Sequence, residues 1–138
     1  MENKETGLFY HVVLVIEPNA SIVPKLLQVA LPDYLIIKSK TLDCETLKMS
    51  VHDNHLHFVI SIPPNLSIVN IIDSVKYSSK NYLRKNIQNT TFDWAKEFYI
   101  STVSPNDLDN LFDSLRDPTM SYADQNLSEE MVNFVKIY

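Results

Sequence analysis

Three histidines lie within six residues, in Val51-His52-Asp53-Asn54-His55-Leu56-His57-Phe58-Val59-Ile60-Ser61-Ile62. From His55 onward, polar and apolar residues alternate with the period of a strand. His55, His57, Val59 and Ser61 then point to one sheet face and Leu56, Phe58, Ile60 and Ile62 to the other. Two imidazoles side by side can hold a divalent cation if a third ligand arrives from elsewhere, and such an ion polarises a phosphodiester or a bound water. His52 extends the pattern to His-x-x-His-x-His, a spacing open to zinc, although the single Cys44 supplies no thiolate set for a structural zinc module. A competing reading needs no metal: histidines one residue apart also occur as polar positions on the wetter face of a strand.

The elements that would position this pair must fit into 138 residues, enough for one domain with a single core, and the 45% hydrophobic content is that of an ordinary globular chain. No apolar run approaches the roughly 20 residues of a membrane span, and the first six residues lack a signal-peptide pattern, so a cytoplasmic location is expected. One cysteine agrees with a reducing compartment. The net charge of −5 is unevenly distributed: residues 105–130 carry seven acids against Arg116, leaving a slightly basic remainder. The single glycine, Gly7, excludes glycine-rich loops that cradle phosphates.

Leu8 to Ile16 is β-branched and aromatic, stops at Glu17-Pro18-Asn19, and predicts a buried first strand. Ser21 is positioned to cap a helix with Pro24 in its first turn and Leu26, Leu27 and Ala30 on an apolar side, ending before Pro32. Residues 33–45 fit either a strand or a continued helix. Thr46 to Val51 alternates and meets the His55 strand across Asp53-Asn54, which predicts an antiparallel hairpin. Ser67 then caps the longest helix, whose buried stripe is Ile68, Ile71, Ile72, Val75, Ser79, Tyr82 and Leu83. Trp94 to Val103 forms the next strand, and Asn106 to Leu115 a helix after it. The resulting order is that of a ferredoxin-like βαββαβ sandwich, an α+β fold with an antiparallel sheet, here with additional helices at the C-terminal end.

On the long helix Lys76, Lys80 and Arg84 recur at i, i+4, with Lys85 adjacent, forming a basic ridge. Cations in the last turns complement the helix dipole, and an exposed ridge of this kind also suits phosphate contacts. The expectation is an exposed DNA-binding surface on Lys76, Lys80, Arg84 and Lys85.

Three segments together resemble the single-tyrosine HUH transposases, the IS-two-hundred-like family that moves insertion sequences as single strands. His55 to Pro64 resembles the family's metal strand and following turn, and Val75-Lys76-Tyr77-Ser78-Ser79 its Leu-Lys-Gly-x-Ser helix segment. Trp94 to Val103 resembles its Trp-x-x-Gly-Tyr-Phe-Val-Ser-Thr-Val strand. The resemblance covers roughly residues 46–104 and implies a homodimer that binds single-stranded or hairpin DNA. It further implies Mg²⁺ or Mn²⁺ on His55 and His57, and a tyrosine that forms a phosphotyrosyl intermediate with a glutamine four residues later completing the metal site.

Departures from that pattern fall on the chemistry. In the simplest register Ser114 stands where the tyrosine belongs and Pro118 where the glutamine belongs, and Tyr77, Glu97 and Ser104 replace family glycines. If residues 105–120 hold an insertion, Tyr122 becomes the candidate nucleophile, with Asn126 at i+4 as an amide ligand; Tyr138 offers a phenol without such a partner. Three functions are therefore in contention: a metal-dependent DNA strand transferase weakened by these changes, a domesticated DNA-binding relative without cleavage, and an unrelated ferredoxin-like interaction domain.

Overall fold

The computed structural model describes residues 8–20, 23–88, 90–116 and 136–137. Its central strand is β1 (Phe9–Ile16), which runs antiparallel to β3 (His55–Ser61) on one side and β4 (Trp94–Val103) on the other. Strand β2 (Glu45–Val51) flanks β3, and a two-residue strand, β5 (Lys136–Ile137), pairs with Tyr99 and Ile100 of β4, giving the sheet order β2-β3-β1-β4-β5. Without its short last member this is the predicted ferredoxin-like βαββαβ arrangement. The sequence offered no sign of β5.

Pairing registers assign the two faces. Val12 stands opposite Phe58 and Ile100, and Leu14 opposite Leu56 and Phe98. With Ile16, Val51, Ile60 and Ile62 these side chains form the core against α1 (Lys25–Lys40) and α2 (Ile68–Asn86). Each fully buried aliphatic or aromatic side chain contributes about 1.5–3 kcal/mol, so this face carries most of the stability. The opposite face places His11, Val13, Val59, His55, His57 and Ser61 together, all of them buried as well.

Helix α2 follows its sequence closely. The Ser67 hydroxyl accepts from the Asn70 amide, and Ile71, Ile72, Val75, Ser79 and Leu83 are buried. Ser79 turns polar chemistry inward without loss, since its Oγ donates to the Val75 carbonyl at 2.6 Å and accepts from the Trp94 indole at 2.8 Å.

Helix α1 departs from expectation. It begins after Pro24, which occupies the cap position without a side-chain cap bond, and continues through Pro32 to Lys40; Ser21 lies outside the described residues. The proline forfeits one backbone bond. Packing carries the helix across that point, because Leu31 and Leu35 are buried on either side of it and Tyr34 stacks on Tyr82 of α2 at 4.5 Å. The buried stripe is thus Leu31, Leu35 and Ser39, while Leu26, expected on the apolar side, is 81% exposed. Residues 33–40 continue the helix, and Thr41 to Asp43 turn the chain into β2 with Asp43 at φ 61°, a conformation aspartate tolerates. After β4, a 3₁₀ turn over Pro105–Asp107 leads into α3 (Leu108–Arg116), two residues later than predicted for the helix proper.

Candidate metal centre and nucleic-acid surface

All four histidines of the chain meet on the face of the sheet opposite α1 and α2. His55 and His57 come from β3, His11 from β1 and His52 from the end of the β2–β3 hairpin. Ring centroids lie 4.5 Å apart for His52 and His55, 5.4 Å for His52 and His57, and 6.1 Å for His55 and His57. His11 meets His57 edge-on at 6.1 Å. Strand alternation therefore does what the sequence predicts for His55 and His57, and the hairpin turn adds His52.

Hydrogen bonds orient the cluster. Asn54 Oδ1 lies 2.8 Å from His55 Nδ1, which leaves Nε2 as that ring's ligand atom, and His52 Nε2 lies 3.4 Å from His57 Nε2. The hairpin carrying His52 is itself anchored, because Asp53 accepts from Gln28 Nε2 at 2.6 Å and faces Lys25 at 3.6 Å, while the Val23 amide bonds the Asp53 carbonyl.

Burial keeps these imidazoles neutral. It lowers His11 to about 4 and, reinforced by His52, His55 to about 3. Burial also drives His57 well below the usual histidine range, with His11, His55, His52 and Lys48 adding to the effect. For His52, burial outweighs the opposing pull of Asp53. Neutral rings present lone pairs rather than N–H⁺ groups, the state metal binding requires. The face is not wet, as a polar-position reading would have it: His55 and His57 are 0% and 1% exposed, and the half-buried His52 forms the accessible edge. Among the described residues no group of three His, Cys, Asp or Glu side chains is arranged to hold a metal ion as it stands.

Of the other expected residues, Ser114 lies in α3, while Pro118, Tyr122, Asn126 and Tyr138 fall outside the described residues. Among the described tyrosines, Tyr99 shares the histidine face, since Val13 pairs with His57 on one side and with Tyr99 on the other. Sequence reasoning passed over His11 and Tyr99, although alternation within β1 and β4 places both on that face.

The basic ridge is exposed at Arg84 and Lys85 and half-buried at Lys76 and Lys80. Its first three members bend onto the start of β4 instead of standing free: Lys76 Nζ donates to the carbonyls of Ala95 at 3.0 Å and Lys96 at 3.3 Å and lies 5.3 Å from the Phe98 ring centre. Lys80 pairs with Asp93 at 3.1 Å, and Arg84 donates to the Phe92 carbonyl at 3.2 Å. A run of backbone carbonyls and one carboxylate draws the ammonium and guanidinium groups in. Lys85 is exposed and lines a cleft of about 410 Å³ with Tyr34, Asn81, Tyr82 and Asn86 on the outer surface of the helices.

A two-layer ferredoxin-like domain with paired histidines on its central strands is the class that fold and site define. Within that class, the family described as "Transposase IS200 like" matches residues 4–113, and the chain belongs to this family. The fold is shared with the "putative transposase" of Deinococcus radiodurans R1, at 15% identity and a TM-score of 0.59 over 78% of this chain and 88% of that one. It is shared also with a REP-associated tyrosine transposase bound to a REP hairpin, at 16% identity and a TM-score of 0.58 over 79% of this chain and 64% of that one. No curated protein sequence matches the chain. Family membership supports a transposase-like, DNA-binding role and removes the unrelated interaction domain from contention. No helix among the described residues is long and apolar enough to cross a membrane.

Proposed function

We propose that this protein binds single-stranded, hairpin-forming DNA as a homodimer and that His55 and His57 hold a divalent ion, Mg²⁺ or Mn²⁺, against a phosphodiester. The observation that carries the reading is the placement of two neutral imidazoles side by side on a central strand of a chain in this family. When bound, the ion would supply Lewis-acid polarisation of the phosphate. The hairpin bound by the structural neighbour favours the same class of DNA here.

Cleavage is the weakened part of the activity. Ser114 occupies the position of the family tyrosine and Pro118 that of the glutamine ligand; a serine hydroxyl needs an adjacent base to attack, and proline has no ligand atom. Tyr122 is the replacement nucleophile that the sequence offers.

Incubating the purified chain with labelled hairpin DNA and Mn²⁺ tests this. Retarded DNA together with a slow covalent adduct is expected. Binding without any adduct supports a domesticated DNA-binding protein instead, a reading that the closed histidine face favours. Absence of binding overturns both.

A further inference from the structure

A cleft opens in the helix layer, across the sheet from the histidines. It has a volume of about 410 Å³ and lies between Tyr34 of α1 and Asn81, Tyr82, Lys85 and Asn86 of α2. Pockets that hold a small ligand occupy about 300–1,000 Å³, so one nucleotide is within its capacity.

The lining matches the parts of a nucleotide. The Tyr34 and Tyr82 rings stack at 4.5 Å and stay half-buried, which leaves aromatic surface accessible beside the cleft. Every nucleobase has a π-face, and aromatic side chains stack bases with little regard to sequence. The exposed Asn81 presents an amide donor and acceptor, and Asn86 donates its Nδ2 to the Tyr82 carbonyl at 2.8 Å, which leaves Oδ1 as an acceptor. Cations complete the set: Lys85 is exposed at the cleft, and Lys38 Nζ lies 5.6 Å from the Tyr34 ring centre. Helices α1 and α2 carry seven Lys and Arg residues against two acids, Asp33 and Asp73, so this layer attracts phosphate although the chain as a whole is acidic.

We propose that this cleft takes up an unpaired nucleotide of single-stranded DNA, with the base stacked against the Tyr34 and Tyr82 pair, its edge bonded by Asn81 and its phosphate neutralised by Lys85. The inference rests on the proposed DNA binding but needs neither a metal nor cleavage. Because the cleft and the histidines occupy opposite sides of the sheet, it is a holding contact and no part of a cleavage centre.

Three labelled DNAs titrated against the full chain test it: a single-stranded oligothymidylate, an abasic strand with the same number of phosphates, and a hairpin. Base–aromatic stacking is worth roughly five- to 150-fold in affinity per base, so the oligothymidylate should bind tighter than the abasic strand by a factor in that range. Tyr82→Leu should erase the difference, with the urea midpoint checking that the fold survives, since Tyr82 also packs against the core. Lys85→Glu and Asn81→Asp alter exposed side chains only and should weaken the oligothymidylate even if Tyr82→Leu fails to fold. Ultraviolet crosslinking of a strand carrying 5-iodouracil should map by mass spectrometry to Tyr34 or Tyr82. Equal affinity for the thymidylate and abasic strands, or crosslinks found only elsewhere, overturns the cleft; retained hairpin binding would then leave the proposed function standing. A wild type that binds none of the three DNAs overturns both.

Discussion

Lys76 separates structural from DNA-binding cations on α2. Its ammonium makes two hydrogen bonds to β4 carbonyls and lies over Phe98, and burial lowers its pKa against the opposing pull of Asp73, Asp93 and Glu97. A hydrogen bond from a charged group contributes about 1.5–3 kcal/mol in full burial, and the half-buried setting discounts the pair together to about 1–2 kcal/mol. Lys76→Met removes the charge and both bonds but keeps a stem over Phe98, so the loss should fall near the lower end of that range and Lys76→Ala near the upper. With a urea dependence of about 1.5 kcal/mol per molar, the midpoint of unfolding should drop by roughly 0.7–1.3 M.

DNA titrations at several salt concentrations complete the experiment. Lys85 extends into solvent, and its replacement by Ala should leave the urea midpoint within about 0.3 M while lowering the salt slope of DNA binding by about one phosphate contact. Lys76→Met should shift the midpoint and leave the salt slope unchanged. The opposite pattern, an unchanged urea midpoint for Lys76→Met together with a reduced salt slope, would show that the ammonium leaves β4 for phosphate and would refute the reasoning.

Ser79→Ala should cost about 1–3 kcal/mol, because it strands the buried Trp94 indole N–H; with one tryptophan in the chain, fluorescence reports the site directly during unfolding. Burial and the Asp43 charge push the Cys44 thiol up to about 11 from 9.0, so the fold favours the protonated form. That contribution is complete below pH 9 and is lost as pH rises toward 11, and Cys44→Ala should flatten the alkaline limb of a stability–pH curve measured by urea unfolding. Replacing both His55 and His57 by Leu should abolish metal binding, as followed by Mn²⁺ titration of the purified chain. Any covalent DNA adduct should disappear in Tyr122→Phe; an adduct that persists there and maps by mass spectrometry to Tyr99 would move the nucleophile onto the described histidine face.

Local periodicity made much of this protein legible. Strand alternation placed His55 and His57 on one face, Ser67 marked the start of α2, and the apolar stripe from Ile71 to Leu83 fixed its buried side. What failed were inferences where tertiary contacts outweigh local preference. Pro32 ends a helix in isolation, yet Leu31 and Leu35 packed on the core carry α1 through it. Lys76, Lys80 and Arg84 look free in sequence because the carbonyls and the one carboxylate that hold them belong to residues 92–96, and i, i+4 spacing says nothing about a segment eight to twenty residues away. Alternation puts His11 on one face of β1, but only the pairing of β1 with β3 brings it beside His57.

The two faces of the sheet divide the protein's requirements between them. On the helix side every position of β1 and β3 that turns inward is apolar, and burial there needs no further explanation. On the other side three imidazoles occupy a buried layer beside Val13 and Val59, where an aliphatic side chain would pack without burying ring nitrogens. Neutral rings gathered on one buried face are what the proposed His55 and His57 site would draw on. Ser114 and Pro118 leave that arrangement intact, since neither residue belongs to β1, β3 or the hairpin. Loss of cleavage and retention of the histidine face are therefore separable, and a family member can give up the first while its sheet keeps the second.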